Sequence, residues 1–176
     1  MRRFAALLVV ALIATPNAAR AQWGYGWVGG GLSIPTGDSG DALESGWLGT
    51  AGLGVSVTTM KGLSLQGEFN FGSHTAKVGN GSTTLTGFFG NVAYDWNEDA
   101  EWHPYAYAGV GSLSRKPTGG SSKSDGAFQL GAGFSYKARP KLNIWGDLRY
   151  VSSGSGTSKY TAMPITVGIS CPLGGK

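Results

Sequence analysis

From Leu63 to Gly72 apolar and polar residues alternate almost without error: Leu63, Leu65, Phe69 and Phe71 share one parity, and Ser64, Gln66, Glu68 and Asn70 the other. Successive side chains of an extended chain point to opposite faces, so this segment predicts a strand with one oily and one wet face. The same period recurs between clusters of Gly, Ser, Asn and Pro. It predicts eight strands, near 23–34, 46–59, 63–72, 83–96, 104–113, 126–137, 142–152 and 160–171.

The faces are readable in most of them. Trp47, Ala51, Leu53, Val55 and Val57 oppose Thr50, Gly52, Gly54, Ser56 and Thr58 in the second strand, and Phe88, Val92, Tyr94 and Trp96 oppose Asn91, Ala93 and Asp95 in the fourth. Phe128, Leu130, Ala132, Phe134 and Tyr136 share the oily parity of the sixth, Leu142, Ile144, Leu148 and Tyr150 that of the seventh, and Met163, Ile165, Val167 and Ile169 that of the eighth. The opposite parities carry polar groups, small residues and a few charges. In the first and fifth strands the glycines, and the run Tyr105-Ala106-Tyr107-Ala108, choose no face; for the first, Val28, Leu32 and Ile34 are assigned to the oily side.

Connections after odd strands read as longer and Gly/Ser-rich (35–45, 73–82, 114–125, 153–158), and those after even strands as tight, apart from the acidic stretch 97–103. The chain opens with Arg2 and Arg3, an apolar run from Phe4 to Ala14, a break at Pro16-Asn17 and the small-x-small site Ala19-Arg20-Ala21. That is the pattern of a cleavable secretory signal peptide over 1–21, and the run is too short to span a bilayer as a helix. Domain organisation is then a leader followed by one domain, 22–176. Removing the leader takes three of the 14 basic residues and none of the 10 acidic ones, so the sequence pI near 9.3 says little about a nucleic-acid partner. All 31 glycines follow the leader without a collagen period, and six Trp, seven Tyr and seven Phe supply more apolar payload than a disordered chain carries. Cys171, the one cysteine, has no partner for an internal disulfide and reads as a small apolar residue near the end of the last strand.

An even number of alternating strands behind a secretory leader, with connections of two lengths and aromatics (Trp23, Trp27, Trp47, Trp96, Trp102, Tyr136, Tyr150) near strand ends, predicts an all-β fold: an eight-stranded antiparallel up-and-down transmembrane β-barrel. The oily parity then faces lipid, through Leu65, Phe69, Phe88, Val92, Leu130, Phe134, Ile144, Leu148, Ile165 and Val167. Small inward residues suit a barrel whose interior is just wide enough for side chains. Parity alone does not separate inside from outside, so a soluble lipocalin-like binding barrel with inverted faces stays open. The Gly-rich opening Trp27-Val28-Gly29-Gly30-Gly31-Leu32 and the segment Tyr107-Ala108-Gly109-Val110-Gly111 resemble recurrent segments of the small outer-membrane β-barrel family of Gram-negative bacteria, the OmpA transmembrane domain and OmpX-like proteins. That resemblance implies a cell outer membrane location, longer loops extracellular, both termini periplasmic, lipid and lipopolysaccharide as surroundings, insertion by the barrel-assembly machinery, and a monomer. The family commonly ends on an aromatic residue, whereas this chain ends Cys171-Pro172-Leu173-Gly174-Gly175-Lys176.

Glu68, Asp147 and Arg149 fall on inward parities, with Lys137 near the terminus end of the sixth strand. Charges in a narrow lumen must pair, so these four form the expected interior polar network, filling the barrel or, alternatively, flanking a narrow ion or small-solute channel. Arg115, Lys116 and Lys123 fall in the third long connection, where they offer charge contacts to lipopolysaccharide phosphates. His74 and His103 fall at opposite ends and cannot share a metal or a base. Ser73-His74 lacks the His-x-Ser arrangement of lipid A-modifying membrane hydrolases and reads as an exposed loop histidine. Asp38, Asp41 and Glu44 do not match an EF-hand loop. No catalytic centre, metal, cofactor or nucleic-acid partner is expected. The expected role is structural or surface-interacting, with the external partner unknown.

Overall fold

The computed structural model describes residues 24–156 and 159–173; the expected leader 1–21 and Trp23 lie outside them. Eight strands follow one another in chain order: β1 (Gly24–Pro35), β2 (Gly46–Ser56), β3 (Leu63–Thr75), β4 (Ser82–Asp95), β5 (Trp102–Pro117), β6 (Lys123–Arg139), β7 (Leu142–Ser153) and β8 (Tyr160–Pro172). Each pairs antiparallel with the next, and β1 pairs with β8 from Tyr25↔Pro172 to Pro35↔Ala162, which closes the sheet into a barrel with no free edge. Closure satisfies every strand's backbone donors and acceptors within the wall, the condition for crossing hydrocarbon.

Alternation decides the faces. Phe88, Phe134 and Val167 expose 60, 61 and 63% of their surface on the outside of the wall, while Glu68, Asn91, Gln129 and Thr166 on the opposite parity are buried inside it. Every strand contributes to the outer apolar belt: Val28 and Leu32 from β1, Leu53 from β2, Phe69 from β3, Val92 from β4, Val110 from β5, Leu130 from β6, Ile144 and Leu148 from β7, Ile165 from β8. Leu65 sits in the same belt, half-buried.

The first and fifth strands take their faces from their neighbours. Tyr25 and Trp27 on β1 and Tyr105 and Tyr107 on β5 line the lumen. The inward rings lie over glycines of the next strand: a Cβ on Gly54 would come 2.4 Å from the Tyr25 ring, one on Gly52 2.2 Å from Trp27, and one on Gly131 2.3 Å from Tyr107. Trp27, expected among the interfacial aromatics, is therefore an interior residue, because Gly52 leaves it a slot. Trp47, Trp96 and Trp102 do stand on the outside, with edge or tilted contacts to Phe71, Tyr94 and Tyr136.

The contrast between long and short connections is smaller than the composition suggests. The β1–β2 connection holds the short helix α1 (Asp38–Ala42), and the other six run from two to six residues at both ends. The polar segment after the fifth strand is mostly strand: β5 reaches Pro117 and β6 starts at Lys123, so Arg115, Lys116 and Lys123 are strand residues of an extended hairpin. A strand needs only about 9–11 residues to cross the hydrocarbon, so the rest of these 16- and 17-residue strands is free to carry polar side chains beyond it.

Candidate functional site: the barrel interior

The lumen divides into three layers, two filled and one open. At the end bearing the odd-strand connections, Leu85, Phe89, Leu113, Ala127, Val151, Tyr160 and Ala162 form a buried apolar cluster against which Leu43 of the first connection packs. That connection is tied down by Ser39 Oγ, which accepts the Thr161 backbone N–H at 3.1 Å, and by Thr161 Oγ1 donating to Thr36 O at 2.6 Å. His74, expected as an exposed loop histidine, is 1% exposed inside this layer. Its ring bridges Glu44 O and Tyr160 Oη, both at 2.9 Å, which satisfies both nitrogens without water. Ser73 points to the other face of the same strand, so the two side chains do not form a nucleophile–base pair.

The middle layer is a charged cross-section. Glu68 on β3 accepts from Thr50 (2.9 Å, β2), Asn91 (2.8 Å, β4), Gln129 (2.8 Å, β6) and Arg149 (β7). Arg149 also donates to Asp147 at 3.1 Å and to Thr166 of β8 at 3.1 Å. Asp147 in turn accepts from Thr166 and from Tyr107 Oη of β5 at 3.0 Å. The guanidinium lies 5.5 Å from the Tyr107 ring centroid. Seven of the eight strands thus supply a side chain. The exception is β1, which presents Gly29 and Gly31 here because the Trp145 indole and the β8 backbone occupy the space a Cβ would need. One cation stands between two carboxylates whose four oxygens all accept hydrogen bonds, the arrangement in which buried charge is tolerable; Arg149 Nε alone among its donors lacks a partner among the described residues.

The third layer, at the end where both termini emerge, is open. A cavity of about 740 Å³ reaches from Glu68, Asp147 and Arg149 to the mouth, where His103 Nδ1 sits 2.7 Å from Asp95 Oδ1. Lys137 lines this mouth and is not part of the Glu68–Arg149–Asp147 network. His103 and His74 lie in opposite layers.

Arg115 is held in place, 2.7 Å from Asp125 and with its guanidinium 6.0 Å from the Tyr160 ring centroid. Lys116 and Lys123 are exposed on the outer parts of the β5–β6 hairpin. Asp38 and Asp41 lie in the first turn of α1. Thr50, Asn91, Gln129, Thr166 and Tyr107 join the central network although charge patterning does not single them out. Their signal in the sequence is a polar group at mid-strand on the parity of Glu68.

Residues 5–171 match the family model of the outer membrane protein beta-barrel domain. No curated protein matches the chain. Among solved structures, the chain is similar to Neisserial surface protein A, with TM-score 0.71 and 15% identity over 88% of this chain and 100% of that one. It is also similar to Ail, the attachment invasion locus protein of Yersinia pestis (TM-score 0.56, 14% identity, 86% and 98% covered), and to OprG of Pseudomonas aeruginosa (0.57, 12%, 88% and 98%). At such identities the likeness is one of fold.

Proposed function

The chain belongs to the outer-membrane β-barrel domain family, and from that premise we propose that it is a non-conducting, non-catalytic barrel whose work is done at its outer surface. The observation that carries this reading is the filled cross-section: the Glu68–Arg149–Asp147 network, backed by the Leu85–Phe89–Tyr160 cluster, occupies the lumen behind an unbroken apolar belt. A wide diffusion path would have to pass through both layers. A lipocalin-type solution state would place Phe88, Phe134 and Val167 in water, a cost of about 25 cal/mol for each Å² of apolar surface.

In this reading the leader 1–21 is removed on export. The odd-strand connections and the protruding β5–β6 hairpin face the outside of the cell, and both termini face the periplasm. Lys116 and Lys123, exposed on that hairpin, are placed to meet lipopolysaccharide phosphates; Arg115, engaged with Asp125, orders the hairpin beneath them. Surface presentation by stiff, extended hairpins replaces presentation by long mobile loops.

Two measurements test it. In a Cys171→Ser background, Val78→Cys on the β3–β4 connection should react with a membrane-impermeant maleimide on intact cells and Lys61→Cys on the β2–β3 connection should not; the reverse labelling overturns the orientation. Purified protein in planar bilayers should show no discrete conductance steps. Steps that disappear on plugging or change with Arg149→Ala would make it a channel.

A further inference from the structure

The open cavity at the terminus end is not used by a surface role, and its walls have a specific chemistry. Two aromatic pairs face each other across it. Tyr25 and Trp27 on β1 have ring centroids 5.8 Å apart, and Tyr105 and Tyr107 on β5 are stacked at 6.3 Å with planes 21° apart. In a ring of eight strands β1 and β5 are diametrically opposed, so the rings form two walls of a slot rather than one cluster. Between them stand hydroxyl and amide groups: Ser64, Gln66, Ser135, Asn143 and Ser170.

The charged groups at the floor are already engaged with one another. Arg149 is held between Glu68 and Asp147, and His103 faces Asp95. Three buried polar atoms on the lining residues have no hydrogen-bond partner among the described residues: Trp145 Nε1, His103 Nε2 and Arg149 Nε, on residues that are only 8, 4 and 3% exposed. A buried indole N–H without an acceptor is costly.

We infer that this cavity binds a neutral, hydroxyl-rich ligand with flat apolar faces, a short oligosaccharide of two or three rings. Sugar rings stack their C–H faces on Tyr and Trp and offer hydroxyls, which both donate and accept, to the amides and serines of the walls. A free anion meets a floor with two carboxylates to one guanidinium, and a free cation must pass Lys137 and Arg139 at the mouth, so neither is favoured over a neutral ligand. A fatty chain would leave the serines and amides unpaired, which disfavours it. The volume falls within the range of about 300–1,000 Å³ of small-molecule sites. The site is independent of the surface role proposed above.

The full mature protein is purified in a detergent without a sugar headgroup and titrated with maltotriose and with chitotriose, reading tryptophan fluorescence, since Trp27 and Trp145 line the cavity. At least one of the two should give a saturable change, with a dissociation constant near or below about 1 mM. Tyr105→Ala should weaken it about tenfold and Tyr105→Phe should not, with both variants retaining the heat-modifiable folded band. No saturable change for either sugar up to about 20 mM overturns the inference, as does binding that Tyr105→Ala leaves unaltered. Saturable binding of benzoate in place of the sugars also overturns it, in favour of an amphipathic anion.

Discussion

Arg149 on β7 donates to Glu68 on β3, two strands that stand four positions apart in a closed ring of eight, so the ion pair spans the barrel as a diameter. Neither residue is near the other in sequence, and neither could reach its partner if the sheet were open. The pair therefore couples the two halves of the wall through the lumen, in addition to the hydrogen-bonded ladders that couple neighbours.

Removing the cation should cost more than the pair contributes. Arg149→Met leaves Glu68 and Asp147 buried without compensation, a loss of about 3–5 kcal/mol. Adding Glu68→Gln should restore part of that, because the double variant no longer strands a charge at that position. Urea unfolding of the barrel in lipid vesicles measures both. An Arg149→Met barrel within about 0.5 kcal/mol of the parent would mean that water, rather than Arg149, solvates the carboxylates.

A second prediction separates packing glycines from spacing glycines. A Cβ on Gly29 would fall 2.6 Å from Trp145 Cη2 and 2.6 Å from Val167 O, and the carbonyl belongs to the paired strand and cannot step aside. Gly29→Ala should destabilise by about 1–3 kcal/mol. Gly67 faces outward with nothing within 4 Å of its would-be Cβ, so Gly67→Ala should be neutral or slightly stabilising in the same unfolding assay. Equal effects at the two positions would show that Trp145 does not rest on β1.

These contrasts locate what the amino-acid order reveals and what it hides. Phe69 and Phe134 announce their face because each alternates with polar or small residues on its own strand, a local pattern. Tyr25 and Tyr107 do not, because Gly and Ala on either side give no contrast; their direction is set by Gly54 and Gly131 on the neighbouring strands. His74 reads as a loop residue until Tyr160, 86 positions away, closes over it. Likewise Ser114, Arg115 and Lys116 have loop composition, yet they continue the β5 ladder opposite Ser124 and Lys123, where polar side chains suit strand outside hydrocarbon. Glu68, Asp147 and Arg149 are recognisable as inward charges. Their grouping without Lys137 follows from the register of all eight strands, which no short window contains.

The outer face gives a third prediction. Leu148 is exposed on β7 between Ile144 and Tyr150 and lies opposite Ala132 of β6 and Ile165 of β8, apolar on every side. Leu148→Arg should cost about 2–4 kcal/mol if that position is at the bilayer midplane, falling toward zero nearer an interface. Reversible unfolding in vesicles, repeated in bilayers of different thickness, measures both the penalty and the depth. A neutral effect at every thickness would remove Leu148 from the lipid face.

The last prediction concerns pH, at the exposed pair outside the strands. Lys61 of the β2–β3 connection donates to Asp99 of the β4–β5 connection, and each holds the other in its charged form: the ammonium keeps the Asp99 carboxyl below its usual 3.8, and the carboxylate raises the Lys61 ammonium above its usual 10.5. For Asp99, whose folded value is depressed, the stabilising contribution is present above the unfolded value and fades as pH falls through the folded one. For Lys61, whose folded value is raised, it is present below the unfolded value and fades as pH rises through the folded one. The pair therefore contributes a constant, small amount across the neutral range, because both groups are in water and screened by salt. NMR titration should find Asp99 ionising at lower pH than a free aspartate, and Asp99→Asn should move Lys61 back toward its ordinary value with no measurable change in unfolding at pH 7. A stability loss at neutral pH in that variant would mean that the two connections are clamped together by more than this one ion pair.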